Sequence, residues 1–275
     1  MNMDYSSVKF VLESFAKDPE VDDVAVLLSA GIDSSSVLFS LLSAGKKPKA
    51  YTFGLKGYDS TDMIYAKKTA QEFGIPHTRI DLPLSMHELI DDISMLVCFG
   101  AKGKTDIECG WPMLYAYQQI KERHIFSGLG ADGHFCISKK GMIHYRDRID
   151  EFRNMVFDNP RYAQAHIHDE LALRYKKIHV RPYMTKAMRE VFLGTTWDEV
   201  NKPRQKQPIL DAYSEEFKRI KVFKHSNFQL GDSGISQHFE MLLDSPWNKK
   251  NHKSVVGVYN YFIKQFGVEN EIMDV

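Results

Sequence analysis

Apolar residues at Val8, Val11, Leu12 and Phe15 recur at helical spacing, and Asp18-Pro19 closes the helix they predict. The run Val24-Ala25-Val26-Leu27-Leu28 is short and continuously apolar, the pattern of a strand buried on both faces. A Ser-rich turn over 29–36 leads into a helix carrying Val37, Leu38, Leu41 and Leu42 and ending at Gly45. The alternation repeats. Ala50-Tyr51-Thr52-Phe53 predicts a second strand, Ser60 or Thr61 caps a helix running to Phe73-Gly74, and His77-Thr78-Arg79-Ile80 predicts a third strand. A helical pattern through Leu89, Ile93 and Leu96, a further helix over 112–122 and a fourth strand at His124-Ile125-Phe126-Ser127 follow. Strands separated by helices of this length imply parallel βαβ units with right-handed crossovers. The fold class read from this pattern is α/β, with a doubly wound, mostly parallel sheet over 1–150. After about residue 150 the strand signals fade, and 151–275 reads as a mainly helical part that completes the active site of a single functional unit.

Composition narrows the partners. The chain has 275 residues, 43% of them hydrophobic and 26% charged, ordinary for a soluble globular protein. Thirty-six basic residues balance 36 acidic ones, so no net field favours capture of a polyanion, and nucleic acid is not the expected partner. Three cysteines without a C-x-x-C pair cannot complete a disulfide framework and point to a reducing, cytoplasmic setting. The apolar runs fall short of a bilayer span, and no targeting signal is visible near the start. No membrane partner is expected.

Chemistry concentrates in two loops. Leu28-Ser29-Ala30-Gly31-Ile32-Asp33-Ser34-Ser35-Ser36 lies between a buried strand and a helix start. Helix N-termini offer unpaired amides and a positive dipole end. Gly31 admits close backbone approach, and Ser29, Ser34 and Ser35 add hydroxyls for phosphate oxygens. Asp33 in such a cradle would repel phosphate unless a cation intervened, which makes it a candidate Mg2+ ligand; the competing reading is a plain Ser/Asp helix cap. Ser127-Gly128-Leu129-Gly130-Ala131-Asp132-Gly133 follows the fourth strand in the same way, and Asp132 could share the metal with Asp33; otherwise this is a glycine turn. Three other features read as structural: His166, His168, Asp169 and Glu170 as a solvated helix face, Asp91-Asp92 as helix surface, and the cysteines as buried filler.

Together these segments resemble the PP-loop ATP pyrophosphatases. Residues 29–34 look like the S-G-G-x-D-S signature. Residues 127–132 look like S-G-[EY]-G-[SA]-D of the asparagine synthetase synthetase domain, β-lactam synthetase and carbapenam synthetase. Trp111-Pro112-Met113-Leu114, His179-Val180-Arg181-Pro182-Tyr183, Arg204-Gln205-Lys206 and Lys224 with Gly231-Asp232-Ser233-Gly234 resemble weaker motifs in family order. The resemblance implies an adenine nucleotide α-hydrolase-like fold. It also implies ATP phosphates on Ser29, Gly31, Ser34 and Ser35, Mg2+ on Asp33 and Asp132, and adenosine bordered by Leu28, Phe53, Ser127 and Gly128. Lys224 matches a charge-stabilising catalytic lysine, and Lys206 a neighbour near the pyrophosphate.

The activity implied is amide formation: a small-molecule carboxylate attacks the α-phosphate, pyrophosphate leaves, and an amine or ammonia displaces AMP. Two positions depart from the pattern. Leu129 stands where relatives carry Glu or Tyr and has no titratable group, and Gly133 replaces a common acid. No N-terminal glutaminase motif precedes the first strand, so ammonia, another amine or a separate nitrogen-donating partner is expected to supply nitrogen. The alternatives are a PP-loop enzyme acting on a nucleic acid or base, and a non-catalytic nucleotide-binding relative.

Overall fold

The structure, a computed structural model, describes residues 6–223 and 232–273. Helix α1 (Ser6–Lys17) precedes β1 (Val24–Leu27), α2 (Ile32–Ser43), β2 (Lys49–Leu55), α3 (Thr61–Glu72) and β3 (His77–Leu82). Helices α4 (Met86–Cys98) and α5 (Lys104–Gln119) then lead to β4 (His124–Phe126). The short helices α6 (Asp132–Phe135) and α7 (Lys139–Tyr145) come next, followed by α8 (Ile149–Phe157), α9 (Ala165–Arg174) and β5 (Ile178–Val180). Seven helices complete the described chain: α10 (Lys186–Phe192), α11 (Trp197–Asn201), α12 (Gln207–Ala212), α13 (Ser214–Lys218), α14 (Ile235–Phe239), α15 (Pro246–Asn251) and α16 (Val255–Met273).

All five strands pair in parallel in the order β3-β2-β1-β4-β5. The chain builds outward from β1 to β3, then returns to the other side of β1 through β4. The order therefore reverses between β1 and β4, and the crevice beyond the carboxyl ends of strands at such a reversal is where ligands of open α/β sheets bind. The register Val26↔Phe126 brings the two loops out of the sheet side by side.

Alternate residues of each strand feed two cores. Ala25, Tyr51 and Ile125 pack on one face with Leu89, Trp111 and Tyr117 of α4 and α5 and with Tyr259 of α16. Val24, Val26, Ala50 and Phe126 pack on the other with Val8 and Leu12 of α1, Phe39 of α2 and Phe192 of α10. Each fully buried side chain of this size contributes about 1.5–3 kcal/mol. The outer strands carry charge: Arg79 on β3 pairs with Asp81 and Asp59, and Lys177 beside β5 donates to the carbonyls of Lys121 and Glu122 at 2.9 and 3.0 Å.

Several elements differ from the sequence expectation. A fifth strand arises after residue 150, where strand signals fade, because Ile178–Val180 is too short to show a period and is defined by pairing to β4. Helix α5 starts at Lys104, not Pro112; the proline lies inside the helix, held there by buried Trp111, Met113 and Tyr117. Asp92 is a core partner and not helix surface, since it accepts from Trp111 Nε1 at 2.7 Å and the Tyr115 hydroxyl at 2.6 Å. His168 is buried, whereas Asp169 and Glu170 on the same helix are exposed. Cys98 is exposed and Cys109 half-buried, so only Cys136 fills the core. No helix among the described residues is long and apolar enough to cross a membrane.

Burial pushes His134 and His168 down to about 3, with nearby arginines adding to it, so both imidazoles are neutral in the folded protein. Unfolded, they titrate near 6.5. Their stabilising contribution is complete above about pH 6.5 and is lost as pH falls toward 3, each removing roughly 2 kcal/mol by pH 5. The dependence of unfolding free energy on pH between about 6.5 and 5 should therefore show uptake of at least about two protons on unfolding. A flat dependence in urea titrations would contradict the neutral burial of these rings.

Candidate active site at the strand-order reversal

The first loop begins as an extension of β1. Leu28 is only 2% exposed, its amide donates to the Tyr51 carbonyl at 2.9 Å, and its carbonyl accepts from Thr52 Oγ1 at 2.7 Å. Helix α2 then starts at Ile32 with Gly31 as its N-cap, earlier than the turn over 29–36 suggests, so Asp33, Ser34 and Ser35 belong to its first turn. The Ser29 and Ser34 hydroxyls meet at 2.9 Å, the Ser29 amide donates to Ser34 Oγ at 3.0 Å, and the Gly31 amide donates to Ser29 Oγ at 3.2 Å. Ser35 is turned inward and donates to the Gly31 carbonyl at 2.8 Å. Leu28 and Ser35 thus lie behind the loop, while Ser29, Gly31 and Asp33 are partly exposed.

Two further groups fix Ala30. Its amide donates to Asp62 Oδ1 at 2.8 Å, and its carbonyl accepts the Phe223 amide at 3.2 Å. Burial and the neighbouring Asp232 raise the Asp62 carboxyl above its ordinary range, against the pull of the Ala30 amide. Asp62 escaped the sequence reading because an acid two residues after a helix-capping serine reads as a helix-dipole residue. Lys224, the candidate catalytic lysine, lies outside the described residues, and so does Gly231 of the late glycine-rich motif.

The second loop is shaped from beneath by β5. Ser127 donates its amide to the Val180 carbonyl at 3.2 Å, and its hydroxyl pairs with His179 Nε2 at 2.8 Å while accepting the Leu129 amide at 3.4 Å. His168 packs against His179 with ring centroids 4.7 Å apart and bonds the Tyr117 hydroxyl at 3.2 Å. Burial pushes His179 well below its ordinary value, so the Ser127 partner is a neutral imidazole. Tyr183 in the same motif bonds Ser36 of α2 at 2.7 Å. The weak motif at 179–183, spanning the end of β5 and the turn after it, therefore holds the second loop through His179 and α2 through Tyr183.

The glycines of the second loop are packing requirements. A Cβ on Gly128 would fall 2.7 Å from the backbone carbon and Cβ of Asp33 and 2.8 Å from the Ser34 amide. A Cβ on Gly133 would meet the Tyr162 hydroxyl at 2.7 Å and Phe157 at 2.9 Å, which explains why no acid stands there. Phe53, half-buried on β2 opposite Ile80, lies one strand further out.

Asp33 and Asp132 converge on Lys206. The Lys206 ammonium lies 2.6 Å from Asp33 Oδ2 and 2.6 Å from Asp132 Oδ1, with the lysine side chain 4% exposed. Burial pulls its pKa down, but the two carboxylates outweigh burial and hold Lys206 above the ordinary lysine value. Its backbone is left-handed at φ 63, immediately before α12. Asn201 supports the turn by donating to the Phe135 carbonyl at 2.9 Å.

This geometry tests whether Mg2+ fits. The point between the two carboxylates selects a cation, since an ammonium is held there, and two hard oxygen donors are the share a protein normally gives magnesium, with phosphates and water supplying the rest. Among the described residues no group of three or more His, Cys, Asp or Glu forms a self-sufficient metal cage.

The parallel sheet with a hydroxyl-rich and a glycine-rich loop at its strand-order reversal fits the PP-loop class of α/β proteins. Residues 21–228 match the asparagine synthase family, and the chain belongs to it. A 61-residue stretch is 36% identical to 7-cyano-7-deazaguanine synthase from Leptospira interrogans serovars copenhageni and Lai, covering 22% of this chain and 25% of that enzyme. The chain thus matches about a quarter of the length of these curated relatives. A predicted subunit of tRNA methyltransferase from Methanocaldococcus jannaschii aligns over 70% of this chain and 88% of its own at 18% identity and a TM-score of 0.35. NMN synthetase from Francisella tularensis aligns over 82% and 99% at 14% identity and a TM-score of 0.35. At these values neither structure informs the chemistry of this chain.

Gly128→Ala should destabilise the protein by roughly 1–3 kcal/mol, because the obstructing atoms are mostly α2 backbone and cannot yield as a side chain tip can. Urea unfolding of the variant checks this; a midpoint equal to the parent would show that the two loops are not in contact.

Proposed function

We propose that the protein is an ATP-dependent, AMP-forming ligase that activates a small-molecule carboxylate and passes the acyl group to ammonia or an amine. The observation that carries this reading is the convergence of Asp33 and Asp132 on one point at the ends of adjacent strands, in a chain of the asparagine synthase family. In this reading Ser29, Gly31 and Ser34, with the positive end of α2, receive the ATP phosphates, and Ser35 braces the loop from behind. Phe53, Ser127 and Gly128 border adenosine, and Leu28, also assigned to that border from the resemblance, supports the loop from behind. Asp33 and Asp132 hold Mg2+, which when bound neutralises phosphate charge.

The chemistry is two displacements. The substrate carboxylate oxygen bonds to the α-phosphorus as the bond to the bridging oxygen breaks and pyrophosphate departs. The amine nitrogen then bonds to the acyl carbon, loses a proton, and AMP departs. Lys224 is assigned to the negative charge that develops in these steps and Lys206 to the pyrophosphate side, each acting as a point cation. Leu129 cannot take the amine proton, so that role falls to another group or to the leaving phosphate.

A second reading, modification of a base, is favoured by the 61-residue likeness to 7-cyano-7-deazaguanine synthase. It keeps the same nucleotide site and places the carboxylate on a heterocycle.

Incubation with ATP, Mg2+, ammonia and a panel of acids that includes 7-deazaguanine carboxylates should yield AMP and pyrophosphate together; ADP as the product would overturn the mechanism. Lys224→Ala should lower turnover by roughly 10²- to 10³-fold with little change in ATP affinity. Asp33→Asn should instead weaken magnesium-dependent ATP binding itself. Equilibrium binding and AMP release measured on both variants separate the two roles.

A further inference from the structure

We infer that Lys206 is a built-in stand-in for the metal: in the resting protein its ammonium fills the place between Asp33 and Asp132 and excludes free Mg2+ until a nucleotide draws the lysine away. The inference rests on the metal-site reading above. Three observations support it. The ammonium is 2.6 Å from one oxygen of each carboxylate, so it occupies the point between them that a shared metal would take. Its side chain is 4% exposed while the carboxylates keep 22% and 41%, so the ammonium is seated on the protein side of a site whose carboxylates still meet solvent, and this is not a surface pairing of convenience. The backbone beneath it is held in the left-handed region at φ 63, a conformation that persists in a non-glycine residue only where surrounding contacts enforce it.

The geometry also shows how the exchange could run. The Lys206 carbonyl accepts the amides of Ile209 and Leu210 at 3.0 and 3.3 Å, which anchors the backbone to α12. Its four-carbon stem can nevertheless rotate about its own bonds. A bare metal ion entering between the carboxylates would leave the ammonium buried without a counter-charge, a heavily disfavoured state. A metal arriving with a polyphosphate brings anionic oxygens that the ammonium can move onto. The metal and the nucleotide are therefore taken up together, and the metal alone is refused.

The test compares the nucleotide-free parent with Lys206→Met, which keeps an unbranched side chain and removes the charge. Mn2+ binding is followed by water-proton relaxation, and thermal unfolding is followed against Mg2+. The variant should bind Mn2+ alone roughly 10²-fold more tightly than the parent. Its Tm should rise by roughly 5 °C with Mg2+ alone, whereas the parent should respond only when ATP is added with the metal. Equal affinity of both proteins for the bare metal overturns the stand-in role and leaves the metal site intact. No metal response in either protein, even with ATP, overturns the metal-site reading and the stand-in with it. If Lys206→Met does not fold, the parent alone decides: Mn2+ bound only once ATP is present supports the inference, and tight binding of Mn2+ without ATP overturns it.

Discussion

One ammonium between two carboxylates sets the arrangement of the cleft. Charges taken out of water are tolerated only in mutually neutralising sets with good geometry, and removing one member of such a set costs about 3–5 kcal/mol when it is fully buried. Here the lysine is buried and the carboxylates are partly open, 22% exposed at Asp33 and 41% at Asp132, so solvent moderates the figure. The three groups come from α2, α6 and the turn before α12, and Asp33 and Lys206 lie 173 positions apart. The helical second half is thereby bound to the sheet through the very point where a metal would sit.

Everything around that point serves close approach. Gly128 lets the second loop rest on the backbone of α2, Gly133 makes room for Tyr162, and Gly130 at φ 88 lies against Met184. Beneath the loops the imidazoles are neutral: His179 under Ser127, His168 with Tyr117, and His134 donating from Nε2 to the Tyr183 carbonyl. A charged imidazole there would place positive charge beneath the phosphate cradle at all times.

Much of this was legible in the sequence. A continuous apolar run announced β1, and short β-prone segments between helical spacers announced β2 to β4. Gly31, Asp33, Gly128 and Asp132 stood out because their types fit few other roles at strand ends. What escaped was set by distant contacts. Ile178–Val180 becomes a strand only through β4, Asp62 matters only through the Ala30 amide, and Asp92 is interior only because Trp111 and Tyr115 turn toward it. The motif at 179–183 was visible as a likeness, yet its physical task, joining Ser127 and Ser36 from below, depends on pairings no local pattern encodes.

The charges on the outer strands bear on how copies of the molecule can meet. Arg79 with its aspartate partners marks one margin of the sheet, and Lys177, holding two carbonyls of the turn before β4, marks the other. A neighbouring strand laid along either margin would have to desolvate these groups or break their bonds, and β5 offers it only three residues of ladder. Both margins of the sheet are therefore blunted. Growth by strand addition, the route to fibres and to edge-to-edge dimers, is disfavoured at both ends.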